Sequence, residues 1–321
     1  MLVTGGAGYI GSHVVHLLEE RGDDVVVVDD LVTGNRGRIP GVPVIEMDIA
    51  HSTAPQLLEA VIREHHVDRV VHLAGRKQVG ESVARPAWYF QQNVGSLANL
   101  LLAMEQAQVT RIVFSSSAAI YGTSNGAALR EDAPQFPLNA YGQTKLIGEW
   151  LLSDAVGAYG VRACSLRYFN VAGAALPELG DTATLNLVPM VFERLDQDLA
   201  PVIFGDDYDT ADGTCVRDYI HVADLADSHL AALDSLAGGS ARHDAYNVGT
   251  GLGSSVREVV DEILRISGMD FLPDVRGRRA GDAPVVVANP AAIFEAIGWK
   301  AQHGLLDIVE SAWASHLVLK A

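Results

Sequence analysis

Apolar and polar positions along the chain change period in a regular way. Residues 2–4 are a short apolar run. The stretch 11–20 that follows sets Val14, Leu17 and Leu18 on the same side as Ile10, which predicts a buried strand followed by an amphipathic helix. Gly22 ends that helix. Residues 25–28 are four consecutive valines, suited to a central parallel strand buried on both faces. The alternation then repeats, with strands predicted over 42–47, 69–73, 112–116 and 162–166 and helices over 55–65, 88–106 and 141–158. Strands alternating with helices imply right-handed βαβ units and a parallel sheet covered on both sides. After Asn170 the rhythm breaks. Residues 172–184, rich in Gly, Ala and Pro, read as a linker, and the remainder mixes short strands and helices as a smaller lobe would. A helix over 222–236 and a strand over 245–248 are suited to returning to the first lobe.

The length, 321 residues, agrees with two lobes, because a single core stops growing at about this size. A composition of 49% hydrophobic and 20% charged residues is a globular balance. No apolar run reaches the length of a membrane span, and the N-terminus lacks a basic segment followed by an apolar one. Neither a membrane anchor nor a signal peptide is expected. Two cysteines, Cys164 and Cys215, make no disulfide framework, which favours a reducing cytoplasm. The net charge of -17 would repel a phosphate backbone, so nucleic acid is not an expected partner. An anionic small molecule stays open, since a few local cations can hold one phosphate pair. Of the 23 cations, four are lysines (Lys77, Lys145, Lys300 and Lys320), and two of these fall in chemical motifs.

The loop between the first strand and the first helix reads Gly5-Gly6-Ala7-Gly8-Tyr9-Ile10-Gly11. Glycines at 5, 8 and 11 suit a tight turn, a close approach of backbone to a pyrophosphate, and close helix–strand packing. The helix N-terminus behind them favours phosphate. The second strand ends in Asp29, a carboxylate placed to accept hydrogen bonds from an adenosine ribose, and Asp30 follows. Two acids with no arginine beside them in sequence would repel a 2′-phosphate, so NAD is favoured over NADP. Asp48-Ile49 closes the third strand, equally as strand-end punctuation or as an adenine contact. The fold expected is therefore α/β: a Rossmann-like doubly wound parallel sheet with a smaller mixed α/β C-terminal domain. Residues 1–170 would form the NAD-binding domain, with segments within 218–250 joining it, and residues 171–321 would bind substrate.

Tyr141 and Lys145 stand four apart on a predicted helix and so share a face. A phenol is a poor base at neutral pH, but a neighbouring ammonium and a cationic nicotinamide both favour the phenolate. Tyr141 could then take a proton from a substrate hydroxyl as hydride leaves the same carbon. Ser115-Ser116-Ser117 follows Ile112–Phe114, at the carboxyl end of the predicted strand. A serine run alone reads as a solvated loop or a helix cap, whereas its place at the sheet edge suits a hydroxyl that shuttles a proton.

These residues resemble the extended short-chain dehydrogenase/reductase superfamily and, within it, the UDP-glucose 4-epimerases. The resemblance covers nearly the whole chain. It rests on Thr4–His13, Ala74–Lys77 with Val79–Ser82, Ser115–Ala118, Tyr141–Lys145, Arg167–Asn170 and the run from Asp212 to Val222 (DGTCVRDYIHV). It implies NAD-dependent 4-epimerisation of UDP-galactose and UDP-glucose, with epimerases of other UDP-sugars as the alternative. It implies Tyr141 as catalytic base, Ser117 as assisting hydroxyl and Lys145 as their partner on the nicotinamide ribose. Cofactor contacts are implied at Gly5, Gly8, Tyr9, Ile10, Gly11, Asp29, Asp30, Asp48, Ile49, Leu73, Ala74, Gly75, Lys77, Gln92 and Phe169. Contacts to the UDP-sugar are implied at Asn170, Asn186, Val202, Ile203, Phe204, Arg217, Arg279, Asp282 and Val286. No metal is implied. His221 reads as a structural member of its motif; Arg217 and Arg279 can fork onto phosphates, with a surface ion pair as the alternative reading.

Departures from the family pattern carry information. Gln92-Asn93 stands where the family has an Asn pair. Ala140 replaces the proline before the catalytic tyrosine, and Cys215 replaces a small residue. Val286 stands where a bulky aromatic tends to exclude N-acetylated sugars. Ala118-Ala119 stands where nucleotide-sugar 4,6-dehydratases carry an Asp-Glu pair, which argues against dehydration. A non-enzymatic NAD-binding regulator is the rival from another class, and the retained Tyr141/Lys145 pair argues against it. Apolar residues around 97–104 and 146–152 exceed what one sheet face needs, so a homodimer is expected.

Overall fold

The computed structural model describes residues 1–123, 126–279 and 281–321. The first half alternates β1 (Leu2–Thr4), α1 (Tyr9–Glu20), β2 (Val26–Asp29), β3 (Val44–Glu46), α2 (Ala54–Glu64), β4 (Val70–His72), α3 (Val79–Ala84), α4 (Pro86–Ala107), β5 (Arg111–Ser115), α5 (Ala140–Tyr159) and β6 (Arg162–Tyr168). There follow β7 (Asn170–Ala172), α6 (Leu187–Asp196), β8 (Val202–Phe204), β9 (Val216–His221), α7 (Val222–Ser235), β10 (Arg242–Val248), β11 (Gly253–Ser255), α8 (Val256–Ser267), β12 (Asp274–Arg276), β13 (Val285–Val286), α9 (Ala291–Ile297) and α10 (Leu305–Lys320).

Two compact units result. The first comprises Met1–Gly122, Pro134–Arg167 and Ala226–Tyr246; the second comprises Thr123–Ala133, Tyr168–Leu225 and Asn247–Ala321. The first unit is built on a seven-stranded sheet of order β10-β6-β5-β4-β1-β2-β3. The five pairings from β6 to β3 are all parallel, the Rossmann-like arrangement of an α/β protein. Strand order reverses at β1, which lies between β4 and β2. The loops at the carboxyl ends of β1 and β4 therefore diverge and leave a crevice, where such sheets bind ligands.

The valine run forms an inner strand, paired on one side with β1 and on the other with the edge strand β3. Val26, Val27 and Val28 are all buried, and Val26 and Val28 share one core with Leu58, Ile62, Leu97, Leu100 and Leu152. Leu97 and Leu100 are fully buried, and truncating either to Ala would cost about 2–5 kcal/mol. Helix α5, which carries the Tyr141/Lys145 pair, is capped by the Asn139 side chain accepting from the Gly142 amide at 2.9 Å, and it stops at Gly160 in the left-handed region.

In the second unit β9 pairs in parallel with β7 and β13 and antiparallel with β11, while β8 pairs with β12. Phe192, Ile203, Tyr219, Val259, Ile263 and Ile308 belong to its core. Helix α8 begins with a capping box, in which the Ser255 hydroxyl accepts from the Glu258 amide at 3.0 Å and the Glu258 carboxylate accepts from the Ser255 amide at 2.7 Å.

Three local readings needed correction. Helix α3 lies outside the predicted elements because it shows solvent its valines, Val79 and Val83, and so lacks an apolar stripe. The expected linker begins inside β7 and contains a 3-10 turn at Pro177–Leu179. On α1 the buried face holds Val15 with Val14 and Leu18, leaving Leu17 half-exposed. Among the described residues no helix is long and apolar enough to cross a membrane.

Candidate active site

The glycine loop leaves β1 and enters α1. Gly5 has φ +74°, and a Cβ there would lie 2.6 Å from the Ala74 amide; a Cβ on Gly11 would fall on the Gly5 carbonyl. These two glycines answer to packing inside the protein. Gly8 does not, since a Cβ there meets nothing nearer than the Gly5 oxygen at 3.4 Å. Gly8 is also the N-cap of α1 and offers no side chain to cap it. A bare helix N-terminus over an open backbone is the setting a pyrophosphate needs.

Asp29 closes β2 and is buried. Its carboxylate accepts from the Ala7 amide at 3.0 Å and the Leu31 amide at 2.9 Å. Burial raises its pKa, and the two amide hydrogen bonds oppose that rise. Both oxygens keep lone pairs for hydroxyl donors, as a ribose would supply. Asp30 is engaged differently, in an ion pair with Arg76 from the loop after β4. An arginine absent from the local sequence is thus present in space. Gln92, on α4, accepts from Arg76 Nε at 3.2 Å and Nη2 at 3.1 Å.

Other expected cofactor positions fall into three groups by exposure. Tyr9, Ile10, Leu73 and Ala74 are half-buried, and Gly75, Lys77 and Asp48 are exposed. The Ile49 side chain is buried in the first core, and its carbonyl accepts from Asn99 Nδ2 at 2.9 Å. Phe169 is buried in the second unit.

At the carboxyl end of β5 the three serines have three different partners. Ser115 Oγ lies 3.0 Å from His229 Nε2. Ser116 Oγ donates to Glu149 at 2.5 Å. Ser117 accepts from the Ala119 amide at 3.2 Å. Glu149 is itself locked to Arg167 (Nε at 3.0 Å and Nη2 at 2.6 Å), and Arg167 Nη1 donates to Tyr121 at 2.9 Å. That buried network fixes the loop below Ser117. Gly142 lets the start of α5 press against the same loop, since a Cβ there would lie 2.5 Å from the Ala119 carbonyl.

Lys145 is buried, and its ammonium donates to the Ser115 carbonyl at 2.7 Å. Its Nζ stands 5.9 Å from the Tyr141 ring centre and 5.0 Å from that of Phe114. Burial lowers its pKa to about 8. Burial raises the Tyr141 pKa, and the neighbouring Ser117 side chain opposes the rise. A phenolate here therefore needs positive charge nearby, which Lys145 supplies in part. One clamp escaped the sequence reading. The Asn93 side chain accepts from the Arg76 amide at 2.7 Å, donates to the Arg76 carbonyl at 3.0 Å, and donates to Thr144 at 3.0 Å. It ties the β4 loop to α5. An Asn in an otherwise apolar helix face was the available signal.

In the second unit Arg217 lies on β9 in register with Val286 of β13. Its Nη1 donates to the carbonyls of Val216 at 2.9 Å and Ala283 at 2.8 Å, and its Nη2 is 3.6 Å from Asp282. Arg279 is exposed and stacks its guanidinium 3.9 Å from the centre of the Phe204 ring. Asn170 is exposed at the start of β7. Asn186, the N-cap of α6, donates to Asp181 at 2.9 Å. Val202 is half-buried, whereas Ile203 is fully buried and gives its side chain to the core. His221 contacts Ser311 Oγ at 2.9 Å through Nε2 and accepts from the Ala223 amide through Nδ1, so both nitrogens serve the fold.

A glycine cradle, a ribose-ready carboxylate and a buried Ser–Tyr–Lys set define a dinucleotide-dependent enzyme acting on hydroxyl-bearing carbon. The chain belongs to the NAD dependent epimerase/dehydratase family, whose model matches residues 1–249. It is 47% identical over 320 residues to the UDP-glucose 4-epimerase of Azospirillum brasilense, covering 97% of this chain and 90% of that protein. Among solved structures it is similar to a Stenotrophomonas maltophila UDP-glucose 4-epimerase with bound NAD and formylated UDP-arabinopyranose (TM-score 0.93, 38% identity, 99% of this chain and 98% of that one). It is also similar to the UDP-Glc/GlcNAc 4-epimerase of Campylobacter jejuni (TM-score 0.85, 35% identity, 99% and 98% covered).

Proposed function

We infer that this chain is an isomerase that interconverts UDP-galactose and UDP-glucose by inverting C4 of the sugar, with NAD as its resident cofactor. The observation that carries the reading is the buried Tyr141–Lys145 pair, with the Lys145 ammonium fixed on the Ser115 carbonyl at 2.7 Å and its Nζ 5.9 Å from the Tyr141 ring centre. NAD, when bound, would supply the acceptor and then the donor of the C4 hydride. The open cradle at Gly8 and the Asp29 carboxylate suit its pyrophosphate and adenosine ribose. Tyr141 removes the 4-hydroxyl proton, Ser117 shares it, and Lys145 holds the phenolate form and the nicotinamide ribose. The sugar passes through a 4-ketose that turns over before C4 is reduced on its opposite face.

Arg217 and Arg279 hold the diphosphate, and Asn170, Asn186, Asp282 and the 202–204 strand hold the rest of the UDP-sugar. Binding energy from UDP, remote from the reacting carbon, retains the intermediate while it rotates. Dehydration would need carboxyl groups after Ser117, where Ala118 and Ala119 begin a short 3-10 turn. Val286, half-buried opposite Arg217, favours a second substrate class, the N-acetylated UDP-sugars.

The protein is a homodimer that pairs through α4 and α5, where Leu102 and Trp150 stand 41% and 57% exposed. A monomeric mass in solution would refute this. The function itself is tested with a panel of UDP-sugars, assayed for C4 inversion without added NAD. Turnover of UDP-galactose is expected. No turnover of any UDP-sugar, together with redox-dependent binding of a protein partner, would overturn the reading in favour of a regulator.

A further inference from the structure

An arginine stands beside the two acids at the end of β2, yet it is not available. Arg76 pairs with Asp30, its Nε and Nη2 both donate to Gln92, and its guanidinium carbon lies 5.5 Å from the Trp88 ring centre. Its backbone is clamped on both sides by Asn93. Asp30 is oriented by the Val32 amide, which donates to its other oxygen at 3.1 Å. In dinucleotide folds an acid at the end of this strand accepts from the ribose 2′-hydroxyl, while a nearby arginine accommodates a 2′-phosphate. This chain holds both elements, with the arginine neutralised.

The geometry points to Asp30 as the residue that keeps this protein on NAD by sequestering Arg76, so that a 2′-phosphate binding site lies latent beside the adenosine ribose. The inference rests on the reading of the 5–11 loop as a dinucleotide site. A 2′-phosphate arriving here meets Asp29 and Asp30 as repelling charges and finds Arg76 already paired. Exchanging Asp30 for Asn removes one repelling charge and frees the guanidinium, while the amide oxygen can still accept from Val32. Gln92, being neutral, can position the arginine without quenching it.

The test compares wild type, Asp30→Asn, Arg76→Ala and the double variant. Each is purified, the dinucleotide released on denaturation is identified, and dinucleotide-free protein is titrated with NADPH and with NADH. Wild type should carry NAD and bind NADPH poorly. Asp30→Asn should tighten NADPH by roughly tenfold to a hundredfold relative to NADH, the order of one charge-assisted contact. Adding Arg76→Ala should remove most of that gain, and Arg76→Ala alone should produce none. Discrimination unchanged in Asp30→Asn overturns the inference. So does a gain that survives whole in the double variant, since charge removal alone would then explain it. Wild type that binds neither dinucleotide would instead sink the cofactor reading from which the inference starts.

Discussion

The hydroxyl-handling end of the first unit and the arginine-bearing strands of the second are built on opposite terms. Ser117, Tyr141 and Lys145 are all buried, and a second layer (Ser116, Glu149, Arg167 and Tyr121) fixes the loop beneath them. Arg279 and Asp282 are exposed, and Arg217 reaches its carboxylate partner only at 3.6 Å. Proton transfer needs atoms held in place before the substrate arrives, so the first unit accepts the cost of burying an ammonium and a phenol. A diphosphate site of the kind proposed needs charges with hydrogen-bonding capacity left; Arg279 is exposed against the Phe204 ring, while Arg217 Nη1 already serves two carbonyls and leaves Nη2 at 3.6 Å from Asp282. Substitutions should therefore separate the two regions. In the first they should abolish chemistry or expose a desolvation cost, and in the second they should tune which sugar is held.

Tyr141→Phe should have the largest effect. The ring stays and one hydroxyl goes, so the fold should hold while turnover drops about 10²- to 10⁴-fold, the range of general acid–base catalysis. C4 inversion rates and thermal melting of the two proteins check this. Turnover at the wild-type rate would remove Tyr141 from the chemistry.

Lys145 gives a smaller, pH-dependent effect. Its pKa in the folded protein is lowered by burial from 10.5 to about 8. Between those values the unfolded chain holds a proton that the folded one has lost, so stability rises with pH across this window. The desolvation cost is present in full below pH 8. Relative to Lys145→Met, wild type freed of dinucleotide should gain up to about 1.4 kcal/mol per pH unit between pH 8 and 10.5. Denaturant unfolding of both proteins at three pH values measures it. A constant difference would show that the ammonium is not desolvated.

The same contrast explains how much was legible in the sequence. The parallel sheet announced itself in apolar periodicity, because strands buried on both faces tolerate little but Val, Ile and Leu. The glycine loop and the 141/145 spacing were legible because local geometry fixes them. What was not legible depends on residues far apart in sequence. Nothing near Asp30 foretold Arg76, 46 residues on, and nothing in the serine run foretold that Ser116 is bound to Glu149 and Ser115 faces His229. The Ile203 side chain looked like part of a ligand strand and turned out to face a core, since strand alternation sends neighbours to opposite sides.

Val286→Tyr should have the smallest effect and the most selective one. Val286 is half-buried on β13, in register with Arg217, and its two methyl groups fill little space. A tyrosine there leaves the identities of Ser117, Tyr141 and Lys145 unchanged, so inversion of UDP-galactose should stay within about threefold of wild type. An acetamido group at the sugar's second carbon needs room that the ring would occupy, and affinity for UDP-N-acetylglucosamine should fall roughly tenfold to a hundredfold, as steric discrimination over a few heavy atoms allows. Competitive binding of the two nucleotide sugars to both proteins decides it. Equal affinity for UDP-N-acetylglucosamine would mean that Val286 does not line the sugar site.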